Sequence, residues 1–94
     1  MAVVYVLYSL KANKYYIGSC LNLVERISAH KNKLYPDSFT SKFDDWELFY
    51  EIGELEYKAA RKIEKHLKKM KSVTYLKNLK VFPEISEKLI SRYS

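Results

Sequence analysis

Val3 to Ser9 reads VVYVLYS, a run of β-branched and aromatic residues too short for a helix, and this composition predicts a buried strand. The polar stretch Lys11 to Lys14 follows as a turn. Tyr15 to Ser19 (YYIGS) then returns as a second strand, so the chain opens with a β-hairpin. A chain of 94 residues fits one domain and has little material for a second core. Cys20 is its one cysteine, so no internal disulfide forms and the fold must rest on packing, which fits a reducing compartment. No apolar run approaches the ~20 residues of a membrane span. Met1 to Leu10 lacks the basic n-region of a secretory signal, so the expected location is cytoplasmic. With 15% aromatic residues and only two Gly and two Pro, this is neither a disordered tail nor a low-complexity segment.

The rest of the chain divides by periodicity. Asn22 is a good N-cap for a helix from Leu23 to about Lys33, with Leu23 and Ile27 on its inner face and Glu25 in its first turn. Leu34 to Asp45, with Pro36 and Asp37, reads as a loop. Trp46 to Ile52 (WELFYEI) reads as a third strand that Gly53 ends. Glu54 to Met70 is the clearest helix, with Tyr57, Ala60, Ile63, Leu67 and Met70 along one stripe. Val73–Leu79 and Pro83–Tyr93 read as two shorter helices, Pro83 suiting a first helical position. No repeat or linker interrupts residues 1–94, which are expected to form a single domain. The order β-β-α-β-α-α-α predicts an α+β fold, a small three-stranded antiparallel sheet flanked by helices. Cys20 is expected as a small filler near a strand end, and Trp46 as core.

Charge is distributed unevenly. The net charge is +6, yet Lys58 to Lys80 holds nine of the 17 Lys+Arg residues and only one acid, Glu64. The remainder is slightly acidic, so the basic residues Lys58, Arg61, Lys62, Lys65, Lys68, Lys69 and Lys71 form one concentrated segment. Such a segment is either a solvated lysine-rich helix face or the footprint of a phosphate-backbone binder. Polar residues also break the apolar faces. Glu64 follows Ala60 by four and precedes Leu67 by three, which sets a carboxylate on or beside the buried stripe. There it must be paired, hydrogen-bonded or bound to a cation. Arg26 and His30, four residues apart, flank the inner face of the first helix in the same way. These three groups, on two helices able to share a sheet face, are either a site or a structural Arg26–Glu64 ion pair. Tyr5 and Tyr16, one on each strand of the hairpin, are placed to bring two hydroxyls to one sheet surface.

Val3-Val4-Tyr5, ten residues, then Tyr16-Ile17-Gly18 resembles the paired motif of the GIY-YIG nuclease domain, as found in excision-repair and homing endonucleases. The first motif keeps only its tyrosine; the second is intact. Arg26, ten residues beyond Tyr16 in NLVERISAH, is similar to the family's helix arginine, and His30 to a histidine of many members. Glu64 in AARKIEKHLKK is similar to the family's metal-binding glutamate, and Asn78 to an asparagine near the end of the domain. The resemblance spans about residues 3–80.

What it implies is a Mg²⁺- or Mn²⁺-dependent endonuclease that hydrolyses DNA phosphodiester bonds. Glu64 would anchor the ion, because Mg²⁺ keeps several waters and completes its shell with phosphate oxygens. Arg26 would hold the non-bridging oxygens as charge develops. Tyr5 or His30 would accept the proton of the attacking water, an ordinary tyrosine near pKa 10 needing a neighbouring cation to do so. Tyr16 would orient water or phosphate, and Gly18 would let the backbone pass close to the site. The basic segment would hold the DNA backbone without reading sequence. One Cys and two His cannot build a zinc finger, and no recognition module is evident. Weak sequence selectivity, or a protein partner that supplies specificity, is therefore expected. The alternative is a catalytically inactive nucleic-acid-binding module that uses segment 58–80.

Overall fold

The structure, a computed structural model, describes residues 1–31 and 45–93, and for His30 and Lys31 the backbone alone. Its elements are β1 (Ala2–Ser9), β2 (Lys14–Cys20), α1 (Leu23–Lys31), β3 (Glu47–Leu55), α2 (Tyr57–Met70), α3 (Val73–Val81) and α4 (Pro83–Tyr93). The class and order are those expected from the sequence. The expected loop over 34–45 lies outside the described residues except for Asp45.

The strands form one antiparallel sheet in the order β2-β1-β3, so β1 is the central strand. Its side chains alternate between two cores, as strand geometry requires. Ala2, Val4 and Val6 pack with Ile52 and Leu55 of β3 and with Ala60, Ile63, Leu67, Leu76, Leu79 and Leu89 of the three later helices. Tyr5 and Leu7 pack on the opposite face with Cys20 and Trp46, against Tyr16, Leu23 and Ile27. α1 therefore covers one face and α2–α4 the other, which is why the VVYVLYS run is apolar on both sides. Cys20 and Trp46 are the buried residues expected, at 3% and 1% exposure.

Two boundaries differ from the sequence expectation by three residues, the others among the described residues by no more than two. β3 does not stop at Gly53 but runs on to Leu55, which pairs with Ala2. The register shifts between the Ala2 and Val4 pairings, and Glu54 takes up the extra residue with φ 58°. Gly53 thus marks a bulge rather than a strand end. α2 accordingly begins at Tyr57, not Glu54. Its buried face is Ala59, Ala60, Ile63 and Leu67; Tyr57 and Met70, expected on that stripe, are 50% and 44% exposed at the two ends of the helix. The predicted Asn22 cap is present, Asn22 Oδ1 accepting from Glu25 N at 3.1 Å. Lys71, at φ 49°, ends α2, and Ser72 caps α3 by accepting from Tyr75 N at 3.1 Å.

Asp45 fastens the β1–β2 turn. Ser9 Oγ donates to Asp45 Oδ1 at 2.5 Å, Lys11 N donates to Oδ2 at 2.9 Å, and Ala12 N donates to Ser9 Oγ at 3.1 Å. The Ser9 and Lys11 bonds hold the Asp45 carboxyl below its usual range. A depressed folded-state pKa contributes stability that is complete above the unfolded value, about pH 4, and is lost as pH falls through the folded value. Thermal melts carried into acid should therefore show a shallower loss of Tm in Asp45→Asn than in the unaltered chain. Parallel curves would mean that Asp45 leaves folding uncoupled to pH.

Candidate active site

The site has two halves, one on each face of the sheet. Tyr5 is fully buried on the α1 side and stands directly opposite Gly18 in the β1–β2 register. Its ring lies over that glycine: a Cβ there would overlap the hydroxyl oxygen and come within 2.6 Å of Cζ. Gly18 is needed for this close approach and not for its backbone angles, since no glycine here has positive φ. Arg26 of α1 is hydrogen-bonded to the Tyr5 hydroxyl. Burial first, then the neighbouring Tyr16, pushes the Tyr5 pKa above the ordinary tyrosine value; the opposing pull of Arg26 is smaller. Tyr5 thus keeps its proton at neutral pH. Tyr16 lies beside it with ring centroids 6.3 Å apart, and meets Trp46 edge-on at 6.5 Å.

Glu64 belongs to the other half. It rises from α2 on the opposite face, where the alternation of β2 also points Ser19, whose partner in the register is Val4. Ser19 Oγ donates to Glu64 Oε1 at 2.5 Å, and Lys68 Nζ donates to Oε2 at 2.7 Å. Burial raises the carboxyl pKa, but the bonds from Lys68 and Ser19, with the charges of Lys68 and Arg61, outweigh it and leave the pKa below the usual value. Glu64 is an anion at neutral pH, its side chain 14% exposed beside the 54% exposed Lys68.

The expectation that Arg26 and Glu64 share one sheet face is corrected here. Their helices pack on opposite faces, and Glu64 forms its ion pair with Lys68. The halves meet around the C-terminal end of β2, where successive residues point to opposite sides. A cleft of about 480 Å³ opens there between α1 and the start of α2, lined by Ser19, Asn22, Arg26, Ala29 and Tyr57. Ser19 connects the two halves, lining the cleft with Arg26 while holding Glu64. Glu64 in turn lines a second concavity with Arg61, Lys62, Lys65 and Lys68.

The other expected residues take separate places. His30 lies on α1, one turn beyond Arg26, and its side chain falls outside the described residues. Asn78 sits on α3, its carbonyl accepting from Phe82 N at 2.7 Å, and lines neither of these concavities. Lys58, Arg61, Lys62, Lys65, Lys68, Lys69 and Lys71 are all exposed. Periodicity overlooks Ser19, and it assigns Tyr57 to the buried stripe although the side chain is exposed and lines the cleft. The available signal for Ser19 is strand alternation, which sets it on the same face as Ile17, packed against α2. The Cys20 thiol, raised by burial against the pull of Arg26, is not poised as a nucleophile.

The donor set bears on which cation suits the site. Among the described residues, no group of three His, Cys, Asp or Glu side chains gathers to hold a metal. A lone carboxylate fits a hard, hydrated divalent ion that takes its remaining ligands from water and phosphate. Ser19 fixes one Glu64 oxygen, and the exposed Lys68 on the other is readily exchanged.

An arginine on a tyrosine hydroxyl, a carboxylate on the opposite face of the sheet and a lysine ridge beside that carboxylate are groups suited to phosphate chemistry. Residues 1–77 match the profile of the GIY-YIG catalytic domain, and the chain belongs to that family of nucleases. No curated protein and no solved structure matches it significantly.

Proposed function

We propose that this domain is a divalent-metal-dependent DNA endonuclease with little sequence selectivity of its own. The observation that carries the reading is the Ser19–Glu64 hydrogen bond, which ties the carboxylate to the cleft that Arg26 lines. Glu64 is the residue that would hold Mg²⁺ or Mn²⁺. Such an ion supplies polarisation of the scissile phosphate and charge stabilisation at the leaving oxygen. Arg26 receives the non-bridging phosphate oxygens, its guanidinium oriented by the Tyr5 hydroxyl. Because Tyr5 holds its proton, His30 is the better-matched acceptor for the proton of the attacking water, imidazole being the side-chain type suited to proton transfer near neutral pH. Tyr16, beside Tyr5, orients water or phosphate. The exposed lysines of α2 hold the duplex by its backbone, and selectivity comes from a protein partner.

Supercoiled plasmid is the test substrate. Nicking that appears with Mg²⁺ or Mn²⁺ and stops on adding EDTA is the expected result. Salt-sensitive DNA binding without nicking under either ion would make the domain a binding module and overturn the catalytic reading.

A further inference from the structure

α2 carries its charge on two flanks. Arg61 and Lys68 lie on the Glu64 side. On the other side a shallow concavity of about 540 Å³ runs between α2 and α4, lined by Lys62, Lys65, His66, Lys69, Arg92 and Tyr93 together with Met70. Among the described residues, no carboxylate lines it. Four cations that converge with no counter-charge among those residues repel one another, and an anion relieves that repulsion. Lys62 and Lys65 line this concavity and the one beside Glu64, so a single basic surface passes over the outer ridge of α2.

The α4 side of this surface is built rather than merely charged. His66 Nδ1 is hydrogen-bonded to the Tyr93 hydroxyl at 3.1 Å, and the rings of His66 and Tyr75 lie 6.0 Å apart. The Arg92 guanidinium stands 5.4 Å from the centroid of the Tyr93 ring. Tyr93 is thus tethered to α2 and holds an arginine against its face. Burial, then Arg92 and Lys69, push the His66 pKa below the ordinary value, a sign that these cations crowd one spot.

We propose that the α2–α4 groove extends the phosphate-binding ridge of α2 onto α4, seating the backbone of duplex DNA on Arg92 and Lys69 as well as on Lys62 and Lys65, which it shares with the concavity beside Glu64. This inference rests on the nucleic-acid reading above. Arg92 contributes a fixed fork for phosphate oxygens, while the lysines act as mobile point charges. Lys62 to Lys69 spans about 10 Å of helix, enough to reach about two adjacent phosphates of one strand. Arg92 and Tyr93 lie beyond residues 1–77, so this surface is added to the matched catalytic region.

Fluorescence anisotropy of a fluorescein-labelled mixed-sequence duplex, titrated in EDTA over a range of salt, tests the surface. Arg92→Ala is expected to weaken binding about two- to fivefold, as for one exposed ion pair. It should also lower the slope of log affinity against log salt by about 0.9, one phosphate contact. Lys88→Ala is the control for net charge, because Lys88 is exposed on α4, lies outside segment 58–80 and does not line the groove. Equal effects of the two variants on affinity and slope would overturn the proposal. Plasmid nicking by the unaltered chain, read in parallel, separates the two readings. Equal variants with nicking retained remove this surface alone, whereas an Arg92-specific loss without nicking removes the nuclease reading alone.

Discussion

Replacing Glu64 with glutamine should lower metal-dependent plasmid nicking by at least about a hundredfold, the scale on which one charge-stabilising group acts in an active site. Glutamine has the same length and still accepts from Ser19, so the helix and the core beneath it are undisturbed. What disappears is the negative charge, and with it the only acidic group of the basic segment. The cost to stability is small, because Lys68, the ion-pair partner, is 54% exposed and such helical pairs contribute about 0.3–0.5 kcal/mol. Nicking lost at unchanged Tm places Glu64 in the chemistry. Nicking retained with a lowered Tm would make it a structural residue and remove the cation anchor.

Gly18→Ala is expected to damage both folding and activity. The added methyl overlaps the Tyr5 hydroxyl, and the ring has nowhere to retreat, since Tyr5 is packed among Leu7, Cys20 and Trp46. Forcing one methyl into a filled core costs about 1–3 kcal/mol. For a domain of this size that corresponds to a fall in Tm of roughly 4–20 °C. The displaced ring also leaves Arg26 without its hydroxyl partner, so nicking should fall beyond what unfolding explains. Gly53→Ala is the internal control. Nothing lies within 4 Å of a Cβ at that position, and its φ is not positive, so Tm should stay unchanged or rise slightly. Equal Tm values for the two variants would show that Tyr5 is free to move and that Gly18 is not a spacing residue.

The strands and helices are largely legible because their signals are local. VVYVLYS, the Asn22 cap and Pro83 each declare an element without outside help. The errors arise where a local signal has two outcomes. Gly53 is read as a stop, but pairing of Leu55 with Ala2 continues the strand and turns the interruption into a bulge. Tyr57 and Met70 fit the helical period yet overhang the sheet, because period says nothing of where the facing surface ends. The candidate site shows the same limit. Arg26 and Glu64 stand out as polar residues on apolar faces, but helix periodicity cannot say which side of a sheet each helix covers. Ser19 and the His66–Tyr93 tether depend on contacts between elements far apart in sequence, 45 and 27 residues respectively. No single-segment pattern encodes them.

The alternation of β1 has a consequence for when the domain is able to act. Odd-numbered side chains build the core under α1 and even-numbered ones the core under α2–α4, so the two halves of the site are assembled by different packing events. Neither half is complete alone: opening α1 removes Arg26, and opening α2 removes Glu64. A slip of one residue in β1 would exchange the two sets and disarm both. Under the proposed function, competence to cut is therefore a logical AND over the two hydrophobic layers. On that reading a nascent or partly unfolded chain carries the positive charge that attracts DNA but lacks the means to cut it, a safeguard written into the register of one strand.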